Sequence, residues 1–459
     1  MPPSIALFLW LVLLLALLWF DPAKEPQISL ALWVPVIWMF IVGSRLPSLW
    51  LGGGVGDAAQ ALEEGNPLDR SIDLALILLA IGILVSRSFK WGDFFAHNLA
   101  LMALLSFALA SVLWSDFPFI AFKRWFRDLG NYLVVLVALS DPHPLEAVRS
   151  LLRRLAYLLI PLSILLIKYY PQIGRQYDRW VGTAMYSGAT TTKNMLGVLC
   201  LVSGIFFFWD TVTRWSDRKE RHTKRIIVVN AAFIAMTLWL LHLADSATSR
   251  VCLVIGCLVI TLAHSKTFQR HPAFLKVLLP ACLCLYPILA FGLGMNAELA
   301  AAAGRDPTFT TRTEIWGFLL GMHTNPLVGT GYESFWLGPR LQSVWLSGVG
   351  GINQAHNGYL EIYLNLGIVG LFLLGAFLIA SYRTICRRLK PFSSLASLTL
   401  ALWTVLLFYN VTEAAFKVSF MWVTFLVGAI AVPGLAQDRE HTVSAFANAE
   451  AREQFPVVS

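Results

Sequence analysis

The sequence QAHNGYLEIYLNLGIVG, residues 354–370, leads into the strongly apolar run LFLLGAFLIA, residues 371–380, and together they predict a helix that crosses a membrane. Such a crossing needs roughly 20 apolar residues of helix. His356, Asn357 and Glu361 nevertheless stand at or just inside the start of this span. Because polar and ionisable side chains cost free energy there, they indicate a catalyst, a transport path or only the solvated end of a helix.

The whole chain shares this apolar character. It has 459 residues, of which 57% are hydrophobic and 14% are charged, whereas an ordinary soluble protein has about 25% charged residues. Apolar runs recur from end to end and predict an all-α polytopic membrane protein with about 12–13 transmembrane helices. The count stays open because the run at residues 133–140 is short. The first run, residues 5–20, lacks a basic n-region and a cleavage site, so we interpret it as a retained span.

Short basic loops predict which ends of the spans face the cytoplasm. They are residues 146–154, 214–225, 265–271 and 381–390. This topology places the long loop, residues 294–357, on the periplasmic side. Residues 1–433 then form one transmembrane domain, and residues 434–459 form a cytoplasmic tail that we expect to be disordered. Such clusters are common beside membranes, so the basic loops do not favour nucleic-acid binding.

One basic segment conflicts with this topology. FKRWFRDLG, residues 122–130, is predicted as a loop on the outer side. Either this loop is interfacial or the count of the preceding spans is wrong by one. Residues 51–71 are predicted as a Gly-rich external connection. In the long loop, RTEIWGFLLGMH (residues 312–323) has helical apolar spacing, and NPLVGTGYESF (residues 325–335) is typical of a turn.

Several basic residues that are distant in sequence are predicted at the outer ends of spans. Lys193 has an ordinary explanation as a snorkelling side chain beside a threonine N-cap, and Arg250 has one as the partner of Asp245. Together with Arg312 and His356, they predict a site for a lipid phosphate or diphosphate. A neutral histidine there could accept a proton from an attacking hydroxyl. Since no carboxylate pair indicates a metal, the arginines would stabilise a leaving diphosphate during glycosyl transfer.

Seven short motifs follow one another between Trp114 and Phe416. They are WSDFP (114–118), TTTKNMLG (190–197), SATSR (246–250), GRDPTFTTRTEIW (304–316), NPLVGTGYESFW (325–336), AHNGYLEIYLNLGIVG (355–370) and, more loosely, NVTEAAF (410–416). In this order they resemble the O-antigen ligase and Wzy-type polymerase superfamily. The Gly-Arg-Asp and Lys-Asn elements resemble its exopolysaccharide polymerase branch.

This resemblance implies a GT-C-like membrane glycosyltransferase that is inverting, independent of metal and free of cofactors. Its donor would be an undecaprenyl-diphosphate-linked oligosaccharide, used on the periplasmic side of the bacterial inner membrane. The implied partners are this donor, a glycan acceptor and membrane lipids, with export and chain-length proteins as further candidates and no nucleic acid.

The resemblance also assigns roles by position. It implies catalytic roles for His356, Arg312 and Glu314, and diphosphate binding for Arg250, Lys193, Asn194 and Arg305. Asn357 and Glu413 are candidate helpers. Thr311 departs from the pattern, because the branch usually has glycine before the long-loop arginine, and this difference alters the expected backbone beside Arg312.

Three functions remain open at this point. The first is polymerisation of lipid-linked repeat units into exopolysaccharide, and the second is ligation of a finished glycan onto lipid A core with the same donor chemistry. The third is a polysaccharide transporter or flippase. Transporters often contain inverted repeats and mid-span ionisable groups, whereas the marked residues here are predicted at span ends.

Overall fold

The computed structural model describes residues 1–20, 28–52, 65–177, 182–270, 312–347, 351–389 and 394–432. The main helices are α1 (Pro3–Trp19), α2 (Trp33–Gly43), α3 (Pro67–Ser86), α4 (Trp91–His97), α5 (Leu99–Ala110), α6 (Pro118–Leu139), α7 (Pro144–Tyr169), α8 (Lys193–Thr213), α9 (Arg221–Ala244), α10 (Ala247–His264), α11 (Arg312–Gly321), α12 (Gly338–Leu346), α13 (Gly358–Arg388), α14 (Ser394–Thr412) and α15 (Phe420–Ala429). Shorter helical segments are Leu30–Leu32, Pro47–Trp50, Ser111–Trp114, Pro171–Gly174 and Lys266–Arg270. Two strands, β1 (Arg175–Tyr177) and β2 (Ala184–Tyr186), pair antiparallel.

The helices confirm an all-α polytopic membrane protein. Within the described ranges, 6 helices are long and apolar enough to cross a membrane, namely α7, α8, α9, α10, α13 and α14. The bent pair α3 and α4, with an angle of 106°, raises the number to 7 if it is one broken span. The larger number of 12–13 also counts shorter apolar helices and the run at residues 277–294, which lies outside the described residues. That number stays a prediction, as do the extents of the long loop and of the tail.

The prediction of a loop at residues 122–130 is wrong. This segment forms the first half of α6, which continues without interruption into the short apolar run at residues 133–140. The helix buries Asp128 and Asn131 among its apolar residues. Asn131 accepts a hydrogen bond from the Trp38 indole at 2.8 Å, and Asp128 accepts one from the Tyr332 hydroxyl at 2.8 Å. Because tertiary partners satisfy these polar groups, a charged sequence can form a packed helix.

The span α13 is broken at Gly367, where the backbone has φ 65° and ψ −164°. A turn of the long loop fills the break with backbone hydrogen bonds. Ile368 and Val369 donate to the carbonyl groups of Pro326 and Leu327 at 2.9 and 3.1 Å. On the other side, Thr330 and Gly331 donate to the carbonyl groups of Leu364 and Asn365 at 3.1 and 2.9 Å. A break in a membrane helix is tolerated when protein groups satisfy the freed backbone in this way.

The described part of the long loop confirms both local predictions. Arg312–Gly321 is helical, and the turn at residues 325–335 has positive φ at Gly329 and Gly331. The loop also has an apolar core of its own. Its buried members are Ile315, Leu319, Phe335, Trp336, Leu341, Val344, Ala355 and Leu364. Since Leu364 belongs to α13, this core fixes the loop on the start of that span.

We expect Gly367→Ala to destabilise the fold. A Cβ at this position would lie 2.2 Å from the Leu327 carbonyl oxygen, and the backbone region is open almost only to glycine, so the cost is about 1–3 kcal/mol or more. Gly375→Ala is the matched control, because a Cβ there meets nothing within 4 Å. Thermal unfolding in detergent should show a lower midpoint for Gly367→Ala alone. Equal midpoints for the two variants would contradict this account of the break.

Candidate active site

The predicted site residues gather where several helices begin or end. The helices α8, α10 and α13 begin here, α11 contributes its first described residue, Arg312, and α14 ends here at Thr412. Helix N-termini carry partial positive charge and attract anions. The basic segments at residues 214–225 and 383–388 lie at the opposite ends of the same spans. The site is therefore separated from the basic loops by the length of the bundle.

The carboxylate of Glu413 joins three of the predicted residues. Its Oε1 atom accepts a hydrogen bond from Arg312 Nη2 at 2.6 Å and from Asn194 Nδ2 at 3.1 Å. Its Oε2 atom lies 3.3 Å from His356 Nδ1. Glu413 and Arg312 are buried, with 5% and 8% of their surface exposed. Glu413, which the sequence offered only as a helper, is thus the centre of the cluster.

The turn that carries Glu413 is fixed by Asn410. The Asn410 Oδ1 atom accepts a hydrogen bond from the backbone N–H of Ala415 at 2.7 Å, and its Nδ2 donates to the Leu406 carbonyl at 2.8 Å. Gly358 allows this arrangement, because a Cβ there would lie 1.9 Å from Asn410 Oδ1. The absent side chain lets α13 begin directly against the turn that carries Glu413.

His356 has an unusual backbone conformation, with φ 49°. Left-handed backbone is uncommon outside glycine and persists where surrounding contacts hold it. Before it, the carbonyl of Ala355 accepts a hydrogen bond from Trp316 Nε1 at 2.9 Å. After it, Asn357 caps α13, accepting hydrogen bonds from the N–H groups of Tyr359 and Leu360, each at 3.0 Å. Asn357 is therefore placed to position His356 through the backbone.

Glu361 is a second carboxylate that holds the chain near His356, and it is not among the site residues predicted from the sequence. Only 2% of its surface is exposed. Its Oε2 accepts a hydrogen bond from the Ala355 N–H at 2.9 Å, and its Oε1 accepts one from Trp336 Nε1 at 2.6 Å. Lys417 Nζ lies 3.5 Å from the same Oε1. The sequence feature that could have identified Glu361 is a carboxylate one turn inside an apolar span, because a buried charge needs partners.

The charges around Lys417 keep it protonated. Burial of the ammonium group opposes its charge, but the carboxylates of Glu361 and Glu333 outweigh that effect, and the pKa of Lys417 is raised above its ordinary value. The Lys417 ammonium group therefore stays charged beside Glu361 Oε1. It fixes the carboxylate that holds the chain just before His356.

The contact between His356 and Glu413 determines which ring nitrogen is free. An ionised carboxylate can only accept hydrogen bonds, so the Nδ1 atom facing it must carry the proton. In the neutral ring, Nε2 then keeps a lone pair and can accept a proton. The separation of 3.3 Å is long for a hydrogen bond, and contacts of this kind commonly shorten when substrate binds. The arrangement can orient a histidine as a general base.

Lys193 and Arg250 lie at the same end of the bundle as this cluster and do not join its hydrogen bonds. Lys193 precedes Asn194 at the start of α8, where Thr192 caps the helix as predicted. Arg250 forms an ion pair with Asp245 at 3.2 Å, and 46% of its side chain is exposed. In the same turn of α10, the Thr248 hydroxyl forms a hydrogen bond with the Thr412 hydroxyl at 2.8 Å. The last contact brings the start of α10 to the residue before Glu413.

Glu314 is a predicted site residue that does not join the cluster. Glu314 is exposed on α11, and the structure shows no ion pair for it among the residues it describes. Arg305 and Thr311 lie outside the described residues. No group of three or more His, Cys, Asp or Glu side chains in the described ranges could hold a metal ion.

The fold defines a multi-pass membrane protein with a polar cluster at one end of its helices. Residues 231–375 match the O-antigen ligase family. The chain is 25% identical over 299 residues to the exopolysaccharide production protein ExoQ of Rhizobium meliloti (strain 1021). That alignment covers 63% of this chain and 65% of ExoQ, which is just under two thirds of the relative's length. These similarities agree with the resemblance to the O-antigen ligase and Wzy-type superfamily that the motifs predicted.

We expect the Arg312–Glu413 ion pair to show strong energetic coupling. Removing one partner leaves the other charge buried and uncompensated. The losses in unfolding free energy of the two single alanine variants should therefore add up to more than the loss in the double variant. A double-mutant cycle should give about 1–3 kcal/mol of coupling by denaturant unfolding in detergent. The exposed Arg250–Asp245 pair is the matched control, for which about 0.5 kcal/mol or less is expected. Coupling no larger than in the control would show that the buried contact does not hold the site together.

Proposed function

We propose that this protein polymerises lipid-diphosphate-linked oligosaccharide repeat units into exopolysaccharide. The observation that carries the proposal is the contact of His356 and Arg312 with the same Glu413 carboxylate, at the end of the bundle where Lys193 and Arg250 also lie. A histidine oriented by a carboxylate suits proton removal from a sugar hydroxyl. Neighbouring cations and helix N-termini suit a diphosphate.

The proposed reaction forms one bond and breaks one. The acceptor hydroxyl oxygen attacks the anomeric carbon of the donor sugar, and its proton passes to Nε2 of His356. The bond between the anomeric carbon and the diphosphate oxygen breaks, and its electron pair leaves with the lipid diphosphate. Direct attack from the opposite face inverts the anomeric configuration. Glu413 accepts the hydrogen bond from Nδ1 and stabilises the imidazolium that forms.

Arg312 and the neighbouring cations have different roles in this proposal. One Nη atom of Arg312 is held by Glu413 at 2.6 Å, but a guanidinium has five N–H donors, so others remain for a phosphate oxygen. Lys193 and Arg250 would compensate the charge that grows on the leaving diphosphate. The proposal thus gives charge compensation to side chains and helix N-termini and requires no metal ion.

The proposed location is the periplasmic leaflet of the bacterial inner membrane. The basic loops lie at the other end of the spans, and the positive-inside rule places such loops in the cytoplasm. The donor would then be an undecaprenyl-diphosphate-linked oligosaccharide presented outside the cytoplasm. A glycan acceptor and the proteins of export and chain-length control are the proposed partners.

Polymerisation and ligation share the donor chemistry and differ in the acceptor. The printed name of the relative ExoQ, an exopolysaccharide production protein, favours polymerisation. The name of the matching family, O-antigen ligase, favours the transfer of a finished glycan to lipid A core as the second candidate. The cluster around Glu413 fits both reactions.

We expect His356→Ala to abolish polymer formation in cells that lack the native gene. The variant removes the proton acceptor, and a general base contributes about 10²–10⁴-fold to a rate. His323→Ala is the matched control, because His323 is an exposed histidine of the same loop. Both variants should reach the membrane in wild-type amounts. Long polymer made by His356→Ala at the wild-type level would remove this residue as the base.

The same cells separate the two candidate reactions. Without the gene, a polymerase predicts loss of long secreted polymer and accumulation of lipid-linked repeat units. A ligase predicts intact long polymer that is not attached to lipid A core. Gel analysis of surface glycans together with mass spectrometry of the lipid-linked pool distinguishes these outcomes, and the second pattern would overturn the polymerase proposal.

A further inference from the structure

A cleft of about 300 Å³ lies between α3 and α6 and is separate from the Glu413 cluster. Four basic side chains line it, Arg70, Lys123, Arg124 and Arg127, together with the single carboxylate of Asp73. Arg127 is paired with Asp128 at 2.8 Å. Lys123 has no carboxylate partner among the described residues, and its Nζ atom lies 4.9 Å from the centroid of the Phe119 ring. The cleft therefore has excess positive charge.

The remaining walls of the cleft are apolar. They are formed by Leu74, Ile77, Ile120, Phe122 and Phe126. Phe122 and Phe126 are exposed at 44% and 39%, so their rings are available to other molecules. A helix with basic residues beside exposed aromatic rings is typical of the border between lipid and water. The first half of α6 has this pattern.

A separate apolar groove lies on another face of α3. It is lined by Ala75, Leu78, Leu79, Gly82, Ile83 and Ser86. Leu78 and Leu79 are exposed at 58% and 54%, and Val85 near the groove is exposed at 65%. The cleft thus combines basic groups with apolar walls, and the helix beside it exposes further apolar side chains. This combination of charge and hydrocarbon surface matches an amphiphile with an anionic head and an extended chain.

We propose that this cleft binds the phosphate or diphosphate head group of a membrane lipid, whose hydrocarbon chain lies against the apolar walls that α3 and α6 give the cleft. Basic residues near a membrane surface attract anionic lipid head groups. The apolar walls of the cleft supply the second half of the recognition, which a soluble anion cannot use. The proposal does not depend on the reaction assigned to Glu413.

The cleft is linked to the loop that builds the Glu413 site. Arg124 donates a hydrogen bond to the backbone carbonyl of Glu333. Asp128, the neighbour of Arg127, accepts one from the Tyr332 hydroxyl. Burial raises the pKa of Tyr332, and the Asp128 carboxylate raises it further, so the hydroxyl stays protonated and remains a donor. A lipid in the cleft would therefore contact residues that hold the loop against α13.

The test uses the purified full-length protein and three photoactivatable lipids with the crosslinker in the chain. They are phosphatidylglycerol, a polyprenyl diphosphate and zwitterionic phosphatidylcholine. Mass spectrometry then measures adducts on residues 67–86. The anionic lipids should label this helix, and Lys123→Gln should reduce the labelling about fivefold, with a larger loss in Lys123→Glu. Lys90→Glu is the matched control, because Lys90 is exposed beyond the other end of α3.

The two anionic probes distinguish the possible sources of the head group. Labelling by both indicates a general phospholipid site, and labelling by the polyprenyl diphosphate alone indicates a site for a lipid-linked substrate. Either result supports the proposal if the labelling decreases in the Lys123 variants. Equal labelling by phosphatidylcholine, or labelling that is unchanged in Lys123→Glu, would overturn it. Melting curves of the variants show that each is folded.

Discussion

The buried carboxylate of Glu413 is the contact on which the arrangement of the site depends. Its two oxygens contact Asn194, Arg312 and His356. These residues come from the start of α8, the first described residue of α11 and the residues just before α13. A carboxylate buried in this way is stable only when charged and polar donors surround it. The requirement that buries Glu413 with partners therefore also brings the proposed base to the neighbouring cations.

The second constraint is the break in α13 at Gly367. A continuous helix would satisfy its own backbone and leave the long loop without an anchor in the span. The break exposes backbone groups of α13, and the turn beginning at Asn325 pairs with them on both sides. In a membrane such groups must be satisfied by protein. The loop is thereby fixed near the start of α13, which keeps Trp316 in contact with the residue before His356.

The sequence predicted the helices better than it predicted their contacts. Hydrophobic runs and caps located the spans and the Thr192 cap, because these are local effects of apolar length and backbone hydrogen bonding. The same approach failed at residues 122–130, where charge suggested a loop. Asp128 is buried there against Tyr332, which is distant in sequence. Local composition does not indicate a partner that is so distant in sequence.

The same difference between local features and long-range contacts holds for the site. The predicted positions of Lys193, Asn194, Arg312 and His356 followed from motifs, and the structure brings the last three to one carboxylate. Their shared partner, Glu413, was the weakest of the candidates because its motif was the loosest. Glu361 was visible as a charged residue at the start of a span, yet its contact with Ala355 depends on the fold of the residues between them. The sequence thus indicates the candidate site residues, whereas the structure shows which carboxylates contact them.

The most direct measurement of the central claim is turnover by purified Glu413→Gln protein supplied with a lipid-diphosphate-linked oligosaccharide. The readouts are new glycosidic bonds and released lipid diphosphate. If Glu413 fixes the free nitrogen of His356, the folded variant should lose at least about 100-fold in rate. A rate within about twofold of the wild type would contradict the account. Movement of the oligosaccharide across the bilayer without any new glycosidic bond in the wild type would contradict it as well.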